Sequence, residues 1–269
     1  MSILTGFKSA PFEVMKTIQG DKSLASLVGS KWTSSDGRDF VLVQNGGTAL
    51  LSGKVVQGPA PQANAVGLSP ATTSTTGYST SLGPIAGVIG GKTIQIATGA
   101  TAVLVNRFAG GYLNVVEGTG LGQTLKIASN SAASTTSAFN VTLEDAFAVA
   151  TSTDSRFTFT INPYGSLYGT DYTTDGVVIC PTTLTGMVLG VSNYPIPAST
   201  ATVPSYGFIQ TKGPCAVFAG ATVALGLDVG VPDDTAGQVL TYAVASGSRI
   251  GTTMVASADA KANMVNLAL

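Results

Sequence analysis

EGTGLGQTLKI, running from Glu117 to Ile127, places Gly118, Gly120 and Gly122 at every second position. A loop of this kind either wraps a phosphate at the mouth of a helix or turns the chain between two strands. The choice separates a nucleotide-binding α/β fold from an all-β one. The dinucleotide fingerprint needs G-x-G-x-x-G followed by a helix whose first amides meet the pyrophosphate. Here the spacing is G-x-G-x-G and the preceding YLNVVE is strand-like. In the segment after the glycines, Leu125 and Ile127 alternate with Thr124 and Lys126. Period two is strand periodicity, so no helix dipole faces the loop and the glycines read as a turn. Gly90-Gly91-Lys92-Thr93 falls the same way: position 86 is Ala where a Walker A loop needs glycine, and IQIAT alternates as a strand.

Outward from this hairpin the same period recurs. Phe139, Val141 and Leu143 alternate with Asn140, Thr142 and Glu144, and Phe157, Phe159 and Ile161 with Thr158, Thr160 and Asn162. Each run offers one face to a core and one to water. Val41 to Val43 and Val177 to Ile179 are apolar on both faces, which marks central or covered strands. The first firm strand is Asp39 to Gln44, entered by an Asp36-Gly37 turn. Short strands separated by Asn45-Gly46-Gly47, Gly110-Gly111, Asn162-Pro163-Tyr164-Gly165 and Pro232-Asp233-Asp234 predict an all-β fold. The expected form is a β-barrel or sandwich body with an inserted small β domain and an N-terminal arm.

The expected body is residues 39–89 plus 176–269, and the expected insert is 90–175. Between Gly58 and Pro84 the chain is rich in Ser, Thr, Ala, Gly and Pro and reads as a long surface loop. Residues 1–38 read either as an extended arm or as two short helical pieces. One piece would run from Pro11 to Gln19. In the other, Asp21 caps a turn that puts Leu24, Leu27 and Val28 on one face and stops at Gly29.

Composition narrows the chemistry. The chain has 269 residues, formal net charge −1 and no histidine. Without histidine there is no Ser-His-Asp triad and no histidine-based zinc site. Charged residues are 10 % of the chain, against roughly 25 % in ordinary soluble domains. Much of the surface is therefore expected to meet protein or to be coated with Ser, Thr and Asn. No basic face steers the chain toward nucleic acid. Met1 to Val14 holds no apolar run of signal-peptide length, so the expectation is synthesis without a secretion signal. Cys215 to Val231 is broken by glycines before Asp228, so strands and turns are expected there and no membrane span.

Cys180 and Cys215 lie in apolar surroundings and read as small buried hydrophobes, with a disulfide left open. The neighbours Glu144-Asp145 and Asp233-Asp234 form no calcium-loop pattern, and adjacent acids on a strand point to opposite faces. A carboxylate hydrolase would need acids facing each other across a cleft, which no spacing here supplies. The expectation is therefore no enzyme, no cofactor and no metal. Asn140-Val141-Thr142 fits the glycosylation pattern but reads as strand. Tyr164, Tyr168 and Tyr172 cluster in NPYGSLYGTDYTTDG. They form either a candidate glycan-contact loop or an ordinary loop whose rings pack on a sheet.

NRFAGGYLNVVEGTGLGQ at 106–123, NVTLEDAF at 140–147 and NPYGSL at 162–167 resemble segments of structural proteins from tailed-phage heads. The C-terminal third is similar to capsid decoration, or cement, proteins. Its matching pieces are YGFIQTKGPCAVF at 206–218, ATVALGLDVGVPDDTAGQV at 221–239 and SRIGTTMVASADAKANMVNLAL at 248–269. The resemblance implies a viral structural protein bound to the outside of an icosahedral bacteriophage capsid, made in the host cytoplasm. Its partners would be the major capsid protein and itself, as a homotrimer, and it would lock neighbouring capsomers. The arm would then contact the capsid through Phe7, Phe12, Val14, Ile18 and Trp32, unless these residues complete the protein's own core. The competing expectation is a head or tail fibre component that binds host-surface glycans through the tyrosine loop.

Overall fold

The computed structural model describes residues 18–59, 66–68, 86–97, 102–135, 137–152, 155–165, 172–231, 234–242, 247–256, 258 and 261–269. The chain is nearly all β. Its strands are β1 (Ile18–Gln19), β2 (Lys31–Thr33), β3 (Asp39–Gln44), β4 (Lys54–Gln57), β5 (Val66–Leu68), β6 (Thr93–Ala97), β7 (Tyr112–Glu117), β8 (Thr124–Asn130) and β9 (Ala138–Leu143). They continue as β10 (Arg156–Phe159), β11 (Val178–Ile179), β12 (Val188–Ser192), β13 (Ser205–Phe218), β14 (Asp228–Val231), β15 (Leu240–Thr241), β16 (Ser248–Thr253) and β17 (Ala262–Ala268). Lys22–Leu27 forms a 3-10 helix.

Two compact units divide the chain. One lies within Met1–Ala60, Pro163–Gly165 and Asp171–Leu269, the other within Pro61–Asn162 and Ser166–Thr170. These junctions differ from the boundaries near 90 and 175 read from the sequence. The reason is a long-range pairing: β5 lies antiparallel to β10, so the chain has joined the second sheet well before residue 90. Most of the Gly58 to Pro84 stretch lies outside the described residues.

In the first unit an eleven-stranded sheet runs β11-β4-β12-β13-β17-β16-β14-β15, with β1 and β3 also pairing with β13 and β2 pairing with β3. The run from Gly237 to Thr241 closes this sheet into a barrel. The Gly237 N–H donates to the Cys180 carbonyl at 2.8 Å, and its carbonyl accepts from the Val55 N–H at 2.9 Å. Two residues on, the Val239 N–H donates to the Phe218 carbonyl at 2.9 Å, and Leu240 and Thr241 pair with β14. The enclosed core draws on all sides of the ring: Val55, Cys180, Val191, Cys215, Val217, Val229, Val231, Val239, Ile250, Val265 and Leu267. Val56, adjacent to Val55, belongs instead to a second core with Val41, Val43, Leu50, Leu189 and Ile209. The two-residue period of β4 thus assigns its opposite faces to different cores.

The N-terminal segment explains why β3 is buried at every position. Asp21 caps the 3-10 helix, accepting from the Ser23 N–H at 3.0 Å, and Leu24, Ala25 and Val28 are buried. Gly29 comes next with φ +89, and β2 pairs with β3 from Lys31 to Thr33. Ile18 and Gln19 pair as a strand with Tyr206 and Ser205, so a helix from Pro11 does not extend through Gln19. Over its described part, residues 18–38, the region expected as an arm is bonded into its own chain's sheet.

The second unit is a six-stranded antiparallel sheet in the order β5-β10-β7-β8-β9-β6. The inward residues predicted by alternation form its core, including Leu125, Ile127, Phe139, Val141, Leu143, Phe157 and Phe159. Phe108, Phe139 and Phe159 pack ring to ring at 5.1 to 6.0 Å, a geometry that adds to their area burial. Gly111 leaves no room for a side chain, since a Cβ there would lie 1.8 Å from the Thr160 carbonyl oxygen.

Gly237 carries two constraints at once. Its φ is +70, and a Cβ would lie 2.6 Å from Ile179 Cγ2. Left-handed backbone costs about 1–2 kcal/mol in a non-glycine residue, and overpacking about 1–3 kcal/mol. Gly237→Ala is therefore expected to lower unfolding free energy by roughly 2–5 kcal/mol in a urea titration. Gly111→Ala is expected to destabilise the second unit selectively, read by amide hydrogen exchange in β7 and β10.

Candidate functional site

The turn between β7 and β8 is the stretch that posed the phosphate question. Gly118, Gly120 and Gly122 have φ of 76, 86 and 91, values that favour glycine. The amides of Leu121 and Gly122 are used within the hairpin. Leu121 N–H donates to the Gly118 carbonyl at 3.1 Å, and Gly122 N–H to the Val115 carbonyl at 2.9 Å. The Gln123 side chain completes the structure. Its Nε2 donates to the carbonyls of Gly120 at 3.1 Å and Val149 at 2.9 Å. Its Oε1 accepts from the N–H groups of Ala148 at 2.9 Å and Val149 at 3.0 Å. The glycines join two strands, β7 and β8, so no helix N-terminus faces the turn to favour an anion.

Gln123 also laces this turn to a neighbouring segment. Residues 147–152 are in turn tied to residues 87–91: Gly90 N–H donates to the Phe147 carbonyl at 2.9 Å, and Thr151 N–H to the Gly87 carbonyl at 2.8 Å. Three bonded segments, GVIGG, GTGLGQ and FAVATS, thus share one part of the second unit, and none contains a charged residue. Each projects large aliphatic side chains into solvent: Val88 and Ile89, Leu121 at 66 % exposure, and Val149. Exposed aliphatic side chains on hydrogen-bonded, uncharged segments make this part of the unit a candidate contact surface. Sequence reasoning missed it. The available signal was an aliphatic residue between glycines at a turn tip, where polar residues are usual.

The first unit carries an open concavity of about 650 Å³. Pro214, Ala216 and Phe218 of β13 and Ala262 and Met264 of β17 give it an apolar floor. Asp36 and Arg38 stand at its edge as a self-neutralised pair, Nε to Oδ2 at 2.7 Å.

Phe7, Phe12 and Val14 lie outside the described residues, as does Tyr168. Ile18 takes part in the β1–β13 ladder. Trp32 is half-buried and meets Phe208 of the same chain edge to face, with ring centroids 5.6 Å apart. Tyr172 is buried, and burial pushes its phenol up. Tyr164 packs against the second core of the first unit. The structure thus turns Tyr164 and Tyr172 toward the interior.

Cys180 and Cys215 are free, buried thiols inside the barrel. Cys215 Sγ donates to Asn193 Oδ1 at 3.1 Å. Burial pushes both thiols up to about 12, so neither is a nucleophile near neutral pH. Glu144 pairs with Lys126 at 3.0 Å, and Lys92 donates to the Glu144 carbonyl at 2.7 Å. Asp39 is held below the usual carboxylate range by hydrogen bonds from Lys31 and Thr33. Among the described residues no three potential metal-ligating side chains gather, and no helix is long and apolar enough to cross a membrane. No family model, no curated protein and no solved structure matches this chain.

Truncating Gln123 to Ala removes four side-chain hydrogen bonds. It is expected to cost about 1–3 kcal/mol and to speed hydrogen exchange at Ala148 and Val149 selectively. For the thiols the sign comes from proton binding. An unfolded thiol ionises near 9.0, while the folded one holds its proton to about 12. Their contribution is complete below the unfolded value and is lost as pH rises toward the folded one. Stability measured in urea should therefore decline from about pH 9 upward. This part of the decline should shrink in a Cys180→Ala, Cys215→Ala double variant.

Proposed function

We propose that this chain is a structural protein of a tailed-phage head. It binds the outer surface of the icosahedral capsid as a homotrimer and stabilises the shell by bridging capsomers. Its partners are the major capsid protein and its own copies, and its place is the virion exterior.

The observation that carries this reading is the turn at Gly118 to Gln123. It is tied by Gln123 to residues 148–149 and presents Leu121 outward from an uncharged, hydrogen-bonded base. Such a turn suits contact with another protein surface. The low charge of the chain agrees with a surface shared among copies. The resemblance of 106–123, 140–147, 162–167 and the C-terminal third to head proteins gives the contact its partner. The mechanism is mechanical. Individually weak contacts, repeated by icosahedral symmetry, add into a large barrier against shell rupture.

Two measurements test this. Sedimentation equilibrium of the purified protein should give a trimer mass. Co-sedimentation with expanded capsids should persist at high salt, because uncharged contacts are not screened. Leu121→Lys and Ile89→Lys, with folding verified by circular dichroism, should weaken one or both associations about 10–100-fold, the worth of one buried aliphatic side chain. A monomer that fails to sediment with capsids at any salt concentration contradicts the reading.

A further inference from the structure

Asn263 points into the barrel. Along β17 the side chains alternate, with Ala262, Met264 and Asn266 exposed and Asn263, Val265 and Leu267 buried. Val265 and Leu267 line the barrel core, so Asn263 shares their face. Across the ladder it stands opposite Val217, another core residue. Asn263 is 2 % exposed, and neither its Oδ1 nor its Nδ2 has a protein partner. An amide in this position is unusual, because buried polar side chains nearly always find a hydrogen bond.

The lining says what chemistry meets it. The core is built from Val, Ala, Cys, Ile and Leu, without an aromatic ring. Its titratable groups are the thiols of Cys180 and Cys215, whose burial keeps them protonated. A neutral amide in a neutral, apolar enclosure offers no countercharge to an ion. It asks for a small neutral molecule that both donates and accepts. Small barrels either fill with side chains or hold a small guest, and this one is lined by short side chains. We propose that the barrel interior holds ordered water at Asn263, accepting from Nδ2–H at one end of the amide and donating to Oδ1 at the other. Immobilising a water costs less than burying an amide end without a partner, and such waters are part of a native structure. Water at Asn263 does not depend on the capsid role.

The test uses the wild-type protein. In a ¹⁵N-labelled sample, the Asn263 side-chain NH₂ protons should show water cross-relaxation of the sign expected for a long-lived bound molecule. A high-resolution crystal structure should place a water oxygen at hydrogen-bond distance, about 2.7–3.2 Å, from Nδ2 or Oδ1. If the NH₂ protons show no bound-water signal, or if the crystal structure surrounds the amide with protein atoms alone, the proposal is overturned.

Discussion

The first unit depends on one short piece of backbone. Gly237 to Thr241 bonds β4 and Cys180 at one end, the tip of β13 in its middle and β14 at the other. Without it the sheet would keep two open edges and the core around Val55, Val217 and Val265 would open to water. Edge strands are liabilities that proteins cover or abolish by closure. The pairing is tight enough that only glycine fits at its first position, where positive φ and the Ile179 methyl both exclude a Cβ. The small-residue interior depends on this closure, and so does the burial that silences both thiols.

The second unit reaches stability by a different route. Its sheet is held by an aromatic and aliphatic core on one face, and its turns are locked by side chains, with Gln123 joining three backbone positions. Conspicuous polar motifs are consumed in this way. The glycines turn the chain, Lys92 binds a carbonyl, and Asn130 accepts from the Phe108 N–H and donates to the Leu104 carbonyl. Val88, Ile89, Leu121 and Val149 stay exposed on these turns. These exposed aliphatic side chains are what the proposed mechanical role rests on.

Much of this architecture is legible in the sequence where the controlling forces are local. Alternation identifies β8, β9 and β10 and their buried faces, because period two couples directly to the pleat. The bounds Asp39 to Gln44 and the Asp21 cap are readable because a turn and a cap each lie within a few residues. Features set by distant pairing are not readable. The partnership of β5 with β10 moves the unit boundary, and nothing near Val66 announces it. Gly237 looks like any loop glycine until β4 and Ile179 are placed beside it. The exposed Leu121 lies inside the very turn that first suggested a phosphate. Period and spacing could reject the ligand but not show the exposure of the leucine.

The central claim is that this chain is held on a capsid through uncharged protein contacts. A cryo-EM map of the parent particle tests it most directly. The account predicts density fitting both β units on the outer face of the shell, in copies related by three-fold symmetry and touching neighbouring capsomers. A complete map of the mature head with no such density on its exterior would contradict it.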